Sequence, residues 1–173
     1  MTGAVMTIVF LLALSLLQPE RPDTFSIRAD LQGLYDEISQ AMLQFVTEAD
    51  VQEFHDVLYT PDWVFVDATG VRYSWQQVRP QAVELLKSPR AASIVQPIQK
   101  LTLQPNGAVV IVDVAVTRDI VDGDGRYGPR GASHSLTEIT RFRDSWVKVS
   151  DKWKQTSREQ VGKPQVLVDT TDH

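Results

Sequence analysis

The sequence contains no cysteine, and this single absence excludes several kinds of chemistry. Without thiols the chain forms no disulfide, has no cysteine nucleophile and cannot build a cysteine-ligated zinc or iron–sulfur site. Only three histidines are present, and their spacing is not that of a metal site. Residues 122–133 begin like a calcium-binding loop, but Ser133 replaces the glutamate that calcium requires there. The sequence therefore predicts neither a metal nor a cofactor, and it leaves carboxyl, imidazole and phenol groups as the candidates for chemistry.

Positive charge is in short supply as well. The 17 Lys plus Arg are outnumbered by 22 Asp plus Glu, the net charge is −5, and no basic block occurs. Proteins that bind nucleic acids place clustered Lys and Arg against the phosphates, so we expect no nucleic-acid partner. The GxSxG motif and the glycine-rich phosphate loop are also missing, which argues against nucleophilic hydrolases and phosphoryl-transfer enzymes.

Charged residues are absent before Glu20, and the one long apolar run of the chain lies in that stretch, at residues 4–17. At about 1.5 Å per residue this run is too short to cross a hydrocarbon core of about 30 Å, but it has the length of the hydrophobic region of a secretory signal. We therefore predict a signal peptide at residues 1–17, a linker at 18–29, and a secreted or periplasmic protein with no stable membrane span after cleavage. An uncleaved short anchor and an apolar leader that packs elsewhere are the open alternatives.

The rest of the chain has the composition of one globular domain, with 43% apolar and 23% charged residues over the whole sequence. We place this domain at residues 30–161 and a tail at 162–173. Apolar residues at three- and four-residue spacing predict a first amphipathic helix that begins at Asp30. Two capping-box pairs predict the starts of a second and a third helix, and these are Asp50 with Glu53 and Ser74 with Gln77.

The remaining segments are typical of β-strands. Residues 63–67 and 71–73 flank a turn, and Pro105-Asn106-Gly107 indicates a hairpin between two apolar runs. Four long antiparallel strands are predicted after the third helix, at residues 98–104, 108–121, 134–149 and 152–161. This order of elements predicts an α+β fold in which three N-terminal helices pack against one side of an antiparallel sheet.

The order of elements and two sequence stretches resemble a known family. The stretches are WVFVDATG at residues 63–70 and RDSWVKVSDKW at 143–153. They are similar to segments of the nuclear transport factor 2-like superfamily, which includes ketosteroid isomerase, scytalone dehydratase, the polyketide cyclases and SnoaL-like bacterial domains of unknown function. The resemblance spans residues 31–160. It implies a strongly curved antiparallel sheet, a cone-shaped, cystatin-like roll around the first helix, with an apolar pocket at its open end.

The resemblance also implies roles for individual residues. Asp67 matches the proton-abstracting base of ketosteroid isomerase, Asp144 matches its hydrogen-bond-donating carboxyl, and Trp153 matches a common packing tryptophan. The tyrosine that completes the oxyanion hole of the isomerase falls on Leu43, which has no donor, and Tyr35 lies two helical turns earlier. Loss of one oxyanion donor costs on the order of 100-fold in rate, so we do not expect steroid isomerisation itself.

Strand alternation by itself places Asp67 and Asp144 on the same strand faces as apolar side chains. A carboxyl in such surroundings has a raised pKa, which suits either a general base or a protonated hydrogen-bond donor. Ketosteroid isomerase is the known example of the protonated donor. We therefore predict Asp67 and Asp144 as catalytic residues. The predicted pocket residues around them are Tyr35, Leu43, His55, Trp63, Phe65, Glu138, Phe142 and Trp146.

Several of these assignments have a purely structural alternative. Asp67 suits a turn, because Asp-Ala-Thr-Gly lets the carboxylate bind backbone amides. Asp144 suits a surface ion pair with Arg141 or Arg143. His55 lies on the inner stripe of the second helix, where a buried core histidine is the alternative to a proton carrier.

Two classes of function follow from these residues. The first is a binding module whose pocket holds a small apolar or amphipathic molecule unchanged. The second is a proton-transfer enzyme of the isomerase, dehydratase or cyclase kind, with Asp67 as general base and Asp144 or Tyr35 stabilising the substrate oxygen. The absence of a donor at Leu43 favours the first class. Members of the superfamily often pair through the outer face of the sheet, so a homodimer, including a purely structural one, is a further alternative.

Overall fold

The computed structural model describes three stretches of the chain, residues 24–88, 90–127 and 129–169. The predicted signal peptide and parts of the predicted linker and tail, residues 1–23 and 170–173, lie outside them. None of the helices within the three described stretches is long and apolar enough to cross a bilayer.

Three helices are present in the described residues, as the sequence predicts, together with a short 3-10 turn. They are α1 at Thr24–Gln44, α2 at Glu48–Leu58, α3 at Trp75–Glu84 and the 3-10 turn at Leu85–Lys87. Helix α1 begins before the predicted start at Asp30, so residues 24–29 of the predicted linker are helical. The physical reason is Ile27, which lies one turn before Leu31 on the same apolar stripe and is buried with it.

The predicted caps of the second and third helices have different outcomes. Helix α2 is capped one turn earlier than predicted, because Thr47 Oγ1 accepts from the amide of Asp50 at 3.2 Å and the Asp50 carboxylate accepts from the amide of Thr47 at 2.8 Å. The prediction that Asp50 and Glu53 form the capping box is therefore wrong. The predicted cap of α3 is confirmed, since Gln77 Oε1 accepts from the amide of Ser74 at 2.8 Å.

Within the described residues, eight strands form one open sheet. They are β1 at Tyr59–Val66, β2 at Arg72–Ser74, β3 at Ser93–Val95, β4 at Ile98–Gln104, β5 at Gly107–Val121, β6 at Ser133–Val149, β7 at Lys152–Gln160 and β8 at Gln165–Asp169. The main order is β2-β1-β7-β6-β5-β3, while β4 also pairs with β5 and β8 also pairs with β6. The predicted α+β fold is confirmed.

Three features of the sheet differ from the prediction. Strand β3, at Ser93–Val95, lies outside the predicted strands and pairs with β5. The pair of β1 and β7 is parallel, so the sheet is mixed, whereas its other pairs are antiparallel as predicted. Strand β8 lies in the segment predicted as a tail and pairs with residues 135–139 of β6. Every residue of β8 is exposed, so it lacks the alternation of buried and exposed positions that identifies a strand in a sequence.

The core lies between α1 and one face of the sheet. On the long strand β5, alternate residues are buried, and Val110 and Val112 are completely inaccessible. Helix α1 covers them with its apolar stripe, which includes Leu31, Tyr35 and Ile38. Each such large apolar side chain stabilises the fold by about 1.5–3 kcal/mol when it is fully buried.

The hairpin between β4 and β5 confirms the turn predicted at Pro105-Asn106-Gly107. Gln104 pairs with Gly107, which leaves two residues in the turn. Gly107 also lies tightly against the neighbouring strand β6, because a Cβ atom at this position would meet the backbone oxygen of Trp146 at 2.0 Å. Glycine is therefore required at this position by the close approach of two backbones.

Replacing Gly107 by alanine should destabilise the fold, because β5 or β6 has to move to make room for the methyl group. We expect a loss of about 1–3 kcal/mol in the free energy of unfolding measured with urea. Gly33 is the matched control, since it is an exposed glycine within α1 and an added Cβ has no neighbour within 4 Å. Gly33→Ala should stabilise the protein by up to about 1 kcal/mol. Equal effects of both substitutions would contradict the close approach at Gly107.

Candidate functional site

A buried ion pair lies in the core between α1 and the sheet. Arg158 on β7 donates two hydrogen bonds to Asp144 on β6, from Nε to Oδ1 at 2.9 Å and from Nη2 to Oδ2 at 2.7 Å. The two residues face each other directly in the antiparallel register. The Asp144 side chain is inaccessible and that of Arg158 is 15% exposed. This bidentate geometry is the one in which a guanidinium binds a carboxylate most strongly.

Tyr35 connects α1 to this ion pair. Its hydroxyl donates to Asp144 Oδ2 at 2.7 Å and accepts from Trp146 Nε1 at 3.0 Å. Asp144 thus serves as an acceptor, and these contacts do not support the hydrogen-bond-donating role predicted for it. The alternative of a surface pair with Arg141 or Arg143 is wrong, because these arginines pair with other carboxylates on the exposed face.

Further polar groups extend the network around the ion pair. The Ser39 hydroxyl donates to the backbone oxygen of Tyr35 at 2.8 Å and accepts from Gln96 Nε2 at 3.1 Å. Gln96 Oε1 in turn accepts from Arg158 Nη2 at 3.4 Å. The Arg158 guanidinium also lies over the ring of Phe142, 4.7 Å from its centroid. The predicted pocket residues Tyr35, Phe142 and Trp146 are therefore brought together, but around an ion pair.

The same surroundings shift the proton equilibria of the network. Burial, followed by the negative charge of Asp144, raises the pKa of Tyr35 well above its ordinary value. Burial raises the pKa of the neighbouring Tyr59 to about 12. Burial alone would lower the pKa of Arg158, but its charge interaction and hydrogen bonds with Asp144 outweigh burial and raise it. Near neutral pH the tyrosines therefore stay neutral and Arg158 stays charged, which suits a fixed structural network.

Asp67 lies in the turn between β1 and β2, and none of its polar partners belongs to the network of Asp144. Its Oδ1 accepts from the Thr69 hydroxyl at 2.7 Å and from the amides of Thr69 and Val71 at 2.8 and 3.0 Å. Its Oδ2 accepts from the Tyr73 hydroxyl at 3.1 Å. These bonds, that of the Thr69 hydroxyl foremost, lower the pKa of Asp67. A general base works best with a pKa near the operating pH. The contacts therefore favour the turn role, and the catalytic role stays a prediction.

Aromatic rings cluster where α2 and α3 meet β1. His55 stacks on Trp75 with 4.2 Å between ring centroids, and Tyr59 stacks on Trp63 with 4.6 Å between centroids. Trp63 Nε1 donates to Gln155 Oε1 at 3.0 Å. His55 is buried, and its Nε2 has no hydrogen-bond partner in the described part of the chain. His55 and Trp63 therefore pack as core residues, which matches the structural alternative considered for the histidine.

The other predicted pocket residues are dispersed. Phe65 is half-buried and lies against the ring of Tyr73, with 6.3 Å between centroids. Glu138 is exposed and lies opposite Val116 in the register of β5 and β6. Leu43, in contrast, lines a cavity at the C-terminal end of α1.

This cavity has a volume of about 220 Å³ and lies between the end of α1, the end of α3 with the following 3-10 turn, and strands β3 and β5. Its polar lining residues are Ser88, Arg90 and Arg118. Its apolar lining residues are Met42, Leu43, Phe45, Val46, Ala82, Leu85, Leu86, Ala91, Ile94 and Val116. The walls of the cavity are thus mostly apolar, with three polar residues among them.

A second and more open groove of about 370 Å³ lies on another side of α1. Leu34, Val57 and Trp153 are among its lining residues, and Val57 is largely exposed. Trp153 packs against the core cluster, which confirms its predicted packing role.

Asp122, the first residue of the glycine-rich loop after β5, holds the loop through hydrogen bonds to its backbone. The carboxylate of Asp122 accepts from the amides of Gly125, Arg126 and Tyr127 at 2.9, 3.0 and 2.7 Å. Burial alone would raise the pKa of Asp122, but these bonds outweigh burial and lower it to about 2. The buried His134 lies beside it, with Nε2 3.9 Å from the carboxylate. Within residues 24–88, 90–127 and 129–169, no group of three or more acidic or histidine side chains could hold a metal ion.

Arg158 was not predicted as a site residue, and a β-bulge explains why. Ser145 pairs with Ser157 and Trp146 pairs with Gln155, so Thr156 is an extra residue in β7. The extra residue turns Arg158 to the same face as Gln155, although strict alternation would place the two on opposite faces. No local signal in the sequence marks this bulge.

Replacing Arg158 by methionine should be strongly destabilising, because it leaves the Asp144 carboxylate buried without its counter-charge. We expect a loss of about 3–5 kcal/mol in urea unfolding. The double variant Asp144→Leu, Arg158→Met should lose less than Arg158→Met alone, because it buries no unpaired charge. Arg143→Met is the matched control, since its pair with Glu159 is exposed and is worth less than about 1 kcal/mol. A loss at Arg158 no larger than that at Arg143 would contradict the structural role of the pair.

Replacing Asp122 by asparagine should make the stability of the protein less sensitive to acid. The folded-state pKa is lowered, so the carboxylate stabilises the fold above its unfolded pKa, and this contribution is lost as pH falls from about 4 towards about 2. Asp122→Asn should be less stable than the original chain at pH 7, and the difference should shrink in that window. Urea unfolding of both proteins at a series of pH values measures this difference in stability. A stability difference of the same size at pH 7 and near pH 2 would contradict this contribution of the carboxylate.

The sequence matches no protein-family profile and no curated protein. Solved structures nevertheless share the fold. A nuclear transport factor 2-like protein from Cytophaga hutchinsonii has a TM-score of 0.50 and 14% identity over 84% of this chain and 100% of its own. A nuclear transport factor 2 superfamily protein from Salmonella enterica has a TM-score of 0.51 and 14% identity, covering 80% and 92%. A protein of unknown function from Mycobacterium tuberculosis has a TM-score of 0.55 and 13% identity, covering 80% and 70%. The chain therefore has the nuclear transport factor 2-like fold.

Proposed function

We propose that the chain is a binding module that holds a small apolar or amphipathic molecule in the cavity at the C-terminal end of α1. The observation that carries this proposal is the combination of apolar walls with a few polar groups in one concave space of about 220 Å³. Pockets for drug-sized ligands measure roughly 300–1,000 Å³, so the occupant should be smaller. The fold is consistent with this function, since proteins that share it are commonly ligand-binding or enzymatic.

The choice of this cavity over the interior follows from the contacts in the core. The groups that would recognise a ligand between α1 and the sheet are Tyr35, Asp144 and Arg158, and they bind one another. A ligand in the interior would have to break a buried ion pair, which is costly. In the part of the chain that the structure describes, the guanidinium groups of Arg90 and Arg118 form no hydrogen bond or ion pair, so they can orient a ligand in the cavity.

Proton transfer by Asp67 has less support than binding. The carboxylate is held by four hydrogen bonds of its own turn, and those bonds lower its pKa. Both effects weaken a general base. We therefore assign no reaction to the chain, and export through residues 1–17 stays a prediction.

Filling the cavity should weaken the binding of a small amphipathic molecule without unfolding the protein. Ala82 on α3 lines the cavity and is half-buried, so Ala82→Trp should occupy it with an indole ring. Octanol is a small amphipathic probe. We expect its affinity to fall at least about tenfold in titration calorimetry, because the filled cavity no longer has space for its octyl chain. Circular dichroism checks that the fold is kept.

Val57→Trp is the matched control, because Val57 lines the second groove and lies outside the cavity. It should leave octanol binding unchanged. Unchanged binding in Ala82→Trp would contradict the proposal, and so would a loss confined to Val57→Trp. Native mass spectrometry of the protein purified from its host would identify a retained molecule directly.

A further inference from the structure

Two arginines line the cavity beside its apolar walls. Arg118 on β5 is half-buried, and Arg90 before β3 is exposed. In the described part of the chain, neither guanidinium has a hydrogen bond or an ion pair. Other arginines of the chain do pair with carboxylates, namely Arg79, Arg141, Arg143 and Arg158. The cavity therefore contains positive charge that no carboxylate among the described residues neutralises.

The sheet around Arg118 offers it no counter-charge. Leu136 on β6 is opposite Arg118 in the antiparallel register, and Val168 on β8 is opposite Leu136. The two residues that follow Arg118 in the row across β5, β6 and β8 are therefore both apolar. Glu138 lies two residues along β6 from Leu136, opposite Val116, and it forms no ion pair with Arg118 within 4.0 Å in the described structure.

We propose that the occupant of the cavity is an anion, a small molecule with an acidic head group bound by Arg118 and an apolar tail against Leu43 and Ile94. This inference rests on the proposed function and names the class of ligand. A partly buried guanidinium without a partner is unfavourable, and an acidic group supplies both the missing charge and the acceptors for its planar set of donors. Arg90 lies at the exposed side of the cavity and adds charge that attracts the anion.

The test compares probes that differ only in their head group. Octanoate and octyl phosphate carry an acidic group, octanol carries the same chain without charge, octylammonium carries the opposite charge, and acetate carries the charge without the chain. In titration calorimetry with the full chain, we expect at least one octyl anion to bind about tenfold or more tightly than octanol. Octylammonium and acetate should bind more weakly than that anion. The preference between carboxylate and phosphate then identifies the head group.

Variants assign the preference to Arg118. Arg118→Gln should remove the tenfold advantage of the anion while leaving octanol binding within about twofold, and Arg118→Lys should restore part of it. Glu138→Gln should tighten binding of the anion, because it removes a negative charge that lies two residue pairs from Arg118 in the register of β5 and β6. Arg72→Gln is the matched control, since Arg72 is exposed on β2 and lines neither the cavity nor the second groove. Arg72→Gln should leave the affinities for octanol and for both octyl anions unchanged.

The outcomes separate this inference from the proposed function. Equal binding of octanol and both anions, or an anion preference that survives Arg118→Gln, would overturn the inference and leave the cavity as a binding site. If no octyl compound binds, the proposed function fails together with the inference. An anion preference that Arg118→Gln abolishes, with octanol binding retained, supports both.

Discussion

The ion pair between Asp144 and Arg158 constrains the rest of the structure. An isolated charge in this core would be strongly unfavourable, so strands β6 and β7 have to keep the register that joins the two groups. Tyr35 extends the same requirement to α1, because its hydroxyl completes the hydrogen bonds of the carboxylate. Through Gln96 and Ser39 the network also holds the segment before β4 against the helix. One buried carboxylate thus fixes how several separate elements meet.

This arrangement has a direct consequence for function. The Asp144 carboxylate accepts from Arg158 and Tyr35, so a ligand in the interior would have to compete with these hydrogen bonds. The polar groups of the interior thus hold the described elements together. Among the described residues, Arg90 and Arg118 form no hydrogen bond or ion pair, and both line the cavity at the C-terminal end of α1. The binding that we propose therefore lies in this cavity, away from the core network.

Much of the fold could be predicted from the sequence because its signals are local. The apolar stripe of α1, the cap at Ser74, the turn at Pro105-Asn106-Gly107 and the long alternating strands each depend on residues within a few positions of one another. The errors occur where local signals are weak or duplicated. Residues 47–53 contain two overlapping capping patterns, and the exposed strand β8 has no alternation at all.

The candidate site was predicted less well, and the two carboxylates show why. Asp144 does lie on a strand, β6, in the apolar core, whereas Asp67 lies in the turn after β1 and not on the predicted strand. The hydrogen-bond partners of each carboxylate decide its role, and the partners of the two carboxylates differ in their distance along the chain. Asp67 binds residues two to six positions away, so its turn role was open to sequence reasoning as an alternative. Asp144 binds groups that are distant in the chain, including Tyr35, and no spacing rule connects them.

By itself, the sequence determined the helices and the long strands of this protein, their order and the apolar faces they bury, because periodicity and capping are properties of neighbouring residues. Only the tertiary structure decided which polar groups meet inside. The parallel pairing of β1 with β7 and the extra residue Thr156 in β7 are settled by packing across the whole sheet. That one extra residue turns Arg158 inwards, since each added residue exchanges the two faces of a strand.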